Sequence, residues 1–352
     1  MYYVNDNIEN LDRIFDQHKR EGYLRLDLNE NPGGLPQEFI HKILAEITPE
    51  FVSQYPETLE FTQMLAEFHD TDIEHICLVN GSSEGIRYII QAFTSPGGKI
   101  VGVTPTYAMF EVYSKMYGRE FVPVKYTDDL QMPVERIIEQ LTPDVELLIL
   151  LNPNNPMGNV YTQEEMDSLI KAAQENEITV LIDEAYMYFY PHSFIDYALK
   201  GEHVFITRTF SKLFSLAGCR LGYVVGWPEG IKLVQKLCTP HNVNAFAMKF
   251  AKAILETEGM LDELIALQKE GKQYLIDTLM EKGYEVNAKE GNFIFIQPKT
   301  DAEILVSRMK EEKNILIKTY AGIGNLGKCL RVTTGEKQYM ERFIEALVEL
   351  DV

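Results

Sequence analysis

The sequence lacks the features that would place the chain in several broad classes. Its four cysteines (Cys77, Cys219, Cys238 and Cys329) show no CxxC pair and no disulfide spacing, which reads as reduced thiols in a cytoplasmic protein. No stretch approaches the roughly 18 consecutive apolar residues of a membrane span. The first residues, "MYYVNDNIENLDRIF", are too acidic and polar for a signal peptide. Basic residues are also scarce. Lys and Arg number 33 against 53 Asp and Glu, a net charge of -20, which argues against a nucleic-acid or anionic-membrane surface. An anionic small ligand would therefore need a locally basic site. At 352 residues the chain exceeds what one growing core holds, so one large and one smaller domain are expected.

What is present is an alternation of short apolar runs with helical patterns. The candidate strands are "HICLVN" (75–80), "KIVGVTP" (99–105), "VELLILLN" (145–152), "ITVLID" (178–183), "HVFITRT" (203–209) and "LGYVVGW" (221–227). Their near-continuous apolar character fits strands covered on both faces of a mostly parallel sheet. "SEGIRYIIQAF" and "TQEEMDSLIKAAQENE" carry helical spacing, the second opening on a capping residue, Thr162. This pattern predicts an α/β doubly wound domain. After about residue 240 it gives way to a long helical stretch, two strands in "YEVNAKEGNFIFIQ", a helix, the strands "ILIKTY" and "CLRVTTG", and a last helix. That is a smaller α+β domain. The division expected is an N-terminal arm (1–30), a large domain (31–248) and a small C-terminal domain (249–352). "GIGNLG" (322–327) matches the dinucleotide fingerprint, but a strand rather than a helix follows it, so it reads as a loop between strands.

Ligands of open α/β sheets bind beyond the carboxyl ends of the strands, and the residues there form a set. Asn80 runs into "GSSEG", whose free N–H groups at a helix start suit a phosphate, although by itself such a turn is usually only a cap. "NPNNPMGN" (152–159) follows one strand, and Asp183 ends another with Tyr186 three residues on. "HVFITRT" leads directly into Ser211 and Lys212, within "TRTFSKLFSLAGCRLGY" (207–223). A lysine in apolar surroundings near other cations has a lowered pKa and attacks carbonyls. A cofactor with an aldehyde, a phosphate and a protonatable ring nitrogen would use every member of the set, and pyridoxal 5'-phosphate (PLP) is that cofactor.

With these residues in view, the sequence resembles the class I and II aminotransferases of PLP fold type I, and within them the histidinol-phosphate aminotransferase group. The resemblance runs from "LDLNENPGG" (26–34) through "YP" (55–56), "NPNNPMG", "DEAYMYF" and "TFSKLFSLAGCRLGY" to "LRVTTGE" (330–336). It implies that Lys212 holds PLP covalently and moves the substrate's α-proton, and that Asp183 keeps the ring nitrogen protonated. Tyr186 and Asn155 would bond the ring oxygen, with Asn155 also on the substrate side, and Tyr107 would stack on the ring. Ser82, Ser83, Thr209, Ser211 and Arg220 would hold the phosphate. Tyr55 would reach it from a second subunit, which implies a homodimer with shared active sites. Arg331 would fork the substrate carboxylate. Lys318 stands where the group tends to carry an arginine for the substrate's own phosphate, with Tyr320 two positions on. "NPM" replaces the commoner "NPT", an apolar side chain expected near the cofactor.

Three substrate readings follow. The first is transamination between L-histidinol phosphate and 2-oxoglutarate, in histidine biosynthesis. The second is transamination of another small phosphorylated or aromatic amine, and the third is decarboxylation, as in threonine-phosphate decarboxylases with similar motifs. From another class, the aminotransferase-like half of a transcription regulator is opposed by the negative charge and by the want of a helix-turn-helix extension.

Overall fold

The structure is a computed structural model that describes residues 2–12, 19–320 and 323–352. Apolar runs fold as a seven-stranded sheet in the order Ile76–Val79, Gly222–Gly226, Val204–Thr209, Thr179–Asp183, Val145–Leu151, Lys99–Thr104 and Glu120–Lys125. The five strands from Val204–Thr209 to Glu120–Lys125 are mutually parallel, and Gly222–Gly226 runs antiparallel to both its neighbours. Side chains alternate between faces along a strand. Leu148, Leu150, Ile182 and Ile206 accordingly join one core cluster, while Leu147, Ile149, Leu181 and Phe205 join another. Both faces are covered, which is why these strands read as unbroken apolar runs.

The helix Gln163–Glu175 begins at Thr162 as expected. Thr162 Oγ1 accepts the Glu165 N–H at 3.2 Å, and the Glu165 carboxylate accepts the Thr162 N–H at 2.8 Å, a capping box worth about 1 kcal/mol.

Three details differ from the sequence expectation. The edge strand Glu120–Lys125 has Pro123 at its centre, a residue that weakens a strand signal but is tolerated at a sheet edge. The long helical stretch divides into Ala245–Glu256 and Met260–Glu281, with Gly259 at φ 75° between them. "ILIKTY" also divides: Ile315–Leu316 pairs in parallel with Leu24–Arg25, and Lys318–Thr319 joins a separate sheet.

That second sheet is antiparallel and four-stranded, in the order Lys318–Thr319, Leu330–Thr333, Phe293–Gln297, Glu285–Asn287. A core of its own backs it, in which Leu24 and Leu26 pack with Leu275, Ile294, Val332 and Phe343. The Leu24–Arg25 pairing and the bond from Thr333 N–H to the Leu26 carbonyl (2.8 Å) carry residues 27–31 across toward the large sheet. Gly322 of "GIGNLG" lies outside the described residues, and residues 324–328 form a 3₁₀ turn leading into Leu330–Thr333 rather than an α-helix. Among the described residues no helix is long and apolar enough to cross a membrane.

Candidate active site

A cavity of about 410 Å³ opens between the carboxyl ends of the large sheet and the face of the small one. Lys212, Asp183, Ser82, Ser83, Tyr107, Asn155, Tyr186, Thr209, Ser211, Arg220, Lys318 and Arg331 all line it, although they come from segments up to 249 positions apart. Tyr55 does not. It is 78% exposed on this chain's surface, its ring stacked 4.4 Å from that of His241.

Asp183, the last residue of its strand, is buried. It accepts the Thr207 hydroxyl at 3.0 Å and the Ala185 N–H at 3.2 Å, and among the described residues it has no ion pair. Burial pushes its carboxyl up to about 7. Lys212 is half-buried, its Nζ donating to the Leu28 carbonyl at 3.0 Å and lying 5.7 Å from the centre of the Tyr186 ring. Burial, reinforced by the charges of Arg331, Arg220 and Lys318, lowers its amine to about 8.

The opposite end of the cavity is a cradle of hydroxyls and N–H groups. Ser82 and Ser83 open the helix Ser82–Phe93, whose dipole and free N–H groups favour an anion. Ser83 Oγ lies 3.1 Å from the Tyr107 hydroxyl. Thr209 Oγ1 donates to Ser211 Oγ at 2.9 Å, and Arg220 Nη1 donates to the same oxygen at 3.1 Å. Arg220 has φ 56°, a left-handed conformation that costs a non-glycine residue roughly 1 kcal/mol. Gly81 has φ 79°, and a Cβ there would stand 2.5 Å from Arg220 Nη2. Only glycine lets the guanidinium lie over the helix start.

The "NPNNPMGN" turn sets Asn155. It closes through Gly158 N–H to Asn154 O (2.7 Å) and Asn154 N–H to Asn159 O (2.8 Å), with Gly158 at φ 73°. Asn155 Nδ2 donates to the Tyr186 hydroxyl at 3.1 Å, and Asn29 Nδ2 donates to the same oxygen at 2.8 Å. With two amides donating to it, the Tyr186 hydroxyl turns its own proton elsewhere, and burial raises its pKa so that the proton stays. Met157 is buried in the large-sheet core and does not line the cavity, so the expectation that it lies near the cofactor is corrected.

On the small sheet, Arg331 is 1% exposed. It donates to Asn29 Oδ1, to Asn155 Oδ1 at 3.1 Å and to the Asp27 carbonyl at 3.3 Å. Lys318 is its register partner on the neighbouring strand. The Tyr320 ring lies 5.4 Å from each of the two cationic groups. Asn29 was not singled out from the sequence beyond the run "LDLNENPGG". Its place depends on φ 58° and on the distant Leu24–Arg25 pairing.

Comparison with known proteins follows the same lines. Residues 21–347 match the family "Aminotransferase class I and II". A histidinol-phosphate aminotransferase of Thermoanaerobacter pseudethanolicus is 31% identical over 342 residues, covering 96% of this chain and 95% of that protein. The structure of histidinol-phosphate aminotransferase from Sinorhizobium meliloti in complex with pyridoxal-5'-phosphate aligns with a TM-score of 0.88 at 23% identity, covering 99% and 98% of the two chains. That of L-threonine-O-3-phosphate decarboxylase from Porphyromonas gingivalis aligns with a TM-score of 0.77 at 23% identity, over 93% and 98%. The fold is that of PLP fold type I enzymes. The chain belongs to the class I and II aminotransferases. It is a transaminase that depends on PLP. The residues present fit that cofactor: a buried carboxylate without an ion pair among the described residues, a cradle of hydroxyls and N–H groups whose Arg220 a Cβ at Gly81 would push aside, and a lysine with a lowered pKa.

Proposed function

We propose that the enzyme transfers the amino group of L-histidinol phosphate to 2-oxoglutarate, forming imidazole acetol phosphate and L-glutamate in histidine biosynthesis. The observation that carries this reading is the register pairing of Lys318 with Arg331 on one face of the small sheet. Register pairing turns both cationic side chains to the same face, where one anionic group can be reached by the fork of Arg331 and the point charge of Lys318. In a chain of net charge -20, the cavity is lined by Lys212, Arg220, Lys318 and Arg331, and among the described residues by one carboxylate, that of Asp183. A phosphorylated amine and a dicarboxylate both suit such a site. The names of the relatives point the same way.

Bound PLP supplies an electron sink for the charge that develops at the substrate's α-carbon. The chain's residues supply the rest. Asp183 holds the proton on the ring nitrogen, because its buried carboxylate gains a cationic partner there. Lys212 would hold the cofactor through Nζ until the substrate amine takes its place, and the released Nζ would then move the α-proton, its lowered pKa leaving part of the amine free near neutral pH. Tyr186 would give its spare proton to the ring oxygen, with Asn155 beside it, and Tyr107 would help hold the ring. Ser82, Ser83, Thr209, Ser211 and Arg220 hold the cofactor phosphate. Arg331 grips the α-carboxylate of glutamate, or the phosphate of the amine, and Lys318 adds a point charge.

We also infer a homodimer, in which Tyr55 of each subunit completes the other's phosphate cradle. Its exposure beside exposed Val52 and Leu59 supports this. The division into a large part (31–248) and a small part (249–352) belongs to the same reading. The test is glutamate formation from 2-oxoglutarate with L-histidinol phosphate as donor, against aromatic amino acids and threonine phosphate, with release of carbon dioxide measured in parallel. Preference for another donor, or carbon dioxide in place of glutamate, refutes the assignment.

A further inference from the structure

Asp183 is followed by a second buried carboxylate, Glu184, which is 1% exposed. Successive residues of an extended chain point to opposite faces. Asp183 lines the cavity, and Glu184 is turned to the reverse side. The adjacent strand repeats the arrangement. Thr207 is the register partner of Asp183 and donates its hydroxyl to it, while Arg208, one residue on, donates to Glu184 Oε2 through Nε at 3.0 Å and Nη2 at 2.8 Å. The Glu184 N–H also bonds the Thr207 carbonyl at 2.9 Å.

The reverse side is closed by other partners. Glu184 accepts the Ser193 hydroxyl at 2.9 Å and the Phe194 N–H at 2.7 Å, and Arg208 Nη2 donates to Ser193 Oγ at 2.6 Å. Arg208 Nη1 lies 3.3 Å from His69 Nδ1, and His69 Nε2 lies 2.8 Å from the Tyr223 hydroxyl. Burial and the Arg208 charge hold the imidazole well below its ordinary range, to about 3, so it stays neutral. Among the described residues the cluster carries one charge of each sign, and the two are joined.

A pair that served only stability could be apolar, since well-packed hydrophobic residues commonly replace a buried ion pair without loss. This pair does something an apolar one does not. It ties the ends of two strands in fixed register directly behind the residue that faces the cavity, and it cancels the Glu184 charge beside Asp183. We propose that Glu184 and Arg208 are positioning residues for the cofactor: their ion pair, closed across the back of Thr179–Asp183 and Val204–Thr209, aims Asp183 at the ring nitrogen. The proposal rests on the reading of Asp183 as the ring-nitrogen partner.

The experiment measures PLP dissociation constants of the cofactor-stripped protein by equilibrium dialysis, melting temperatures, and kcat and KM of the loaded enzyme. The variants are the apolar double Glu184→Met with Arg208→Met, the conservative Arg208→Lys, and Asp183→Asn as control. Partners that orient the ligands of a metal commonly contribute roughly 10- to 100-fold in affinity or activity, and an effect of that order is expected here. The double variant is expected to fold with a melting temperature near the parent's, to bind PLP that much more weakly, and to lose kcat more than KM. Arg208→Lys, which keeps the charge but not the fork, falls between it and the parent. A folded double variant with parental PLP affinity and kcat overturns the proposal. If the double variant does not fold, Arg208→Lys decides: parental affinity at a parental melting temperature overturns it, and weaker binding at that temperature supports it. Parental PLP affinity in Asp183→Asn overturns instead the ring-nitrogen reading, and the proposal with it.

Discussion

The two walls of the cavity are built differently. The large-sheet wall is made of strand ends and the turns that follow them, and its polar groups bond one another: Thr209 to Ser211, Arg220 to Ser211, Thr207 to Asp183. The small-sheet wall places Lys318 opposite Arg331, and Arg331 is held mainly by neutral groups, the Asn29 and Asn155 amides and the Asp27 carbonyl. The first wall bonds many of its own polar groups to one another, and it offers Asp183 to a cation and the Arg220 cradle to an anion. The other sets two cationic side chains in register on one face of its sheet. The cofactor wall is ordered chiefly by bonds among its own strand ends and the substrate wall by two cations held in register, and the two should fail in different ways.

Removing the nucleophile tests the first wall hardest. Lys212→Ala should lower kcat on the order of 10⁴-fold and abolish the covalent cofactor band, as seen in the absorption spectrum of the loaded protein. Asp183→Ala should cost about 10²- to 10³-fold in kcat, with far-ultraviolet circular dichroism unchanged. On the second wall, Arg331→Lys keeps the charge and loses the fork, so kcat/KM for glutamate should fall roughly 10- to 100-fold, mainly through KM. Lys318→Ala should raise KM for a phosphorylated donor about tenfold and change that for glutamate less. Steady-state kinetics with both donors checks this, and equal effects on the two would remove Lys318 from the phosphate's surroundings.

The smallest effect concerns pH. The Asp183 carboxyl is raised by folding, so its protonated form contributes stability below the ordinary carboxylate range, and that contribution is lost as pH rises through about 7. Bound PLP supplies the missing cation. The gain in melting temperature on adding PLP should therefore be larger near pH 8 than near pH 5, measured by thermal denaturation at both values.

The sequence made the cofactor wall more legible than the substrate wall. Lys212, Asp183 and the Ser82–Ser83 turn sit at strand ends, and a strand end is visible as the point where an apolar run stops. Asn29 was hidden because it reaches the site through a pairing between residues about 290 positions apart and a left-handed backbone. The Glu184–Arg208 pair was hidden for a related reason: two charged residues inside apolar runs reveal a partnership only once register is known. Pro123 masked an edge strand, and Met157 followed a motif into the core rather than into the cavity. Tyr55 depends on a second chain, which one sequence expresses only through resemblance.

The most direct measurement is the absorption spectrum of the PLP-loaded enzyme as L-histidinol phosphate is added without any keto acid. Loss of the visible cofactor band and growth of the pyridoxamine form, reversed by 2-oxoglutarate, are expected. A spectrum that ignores L-histidinol phosphate yet responds to glutamate would contradict the proposed donor while leaving the aminotransferase in place.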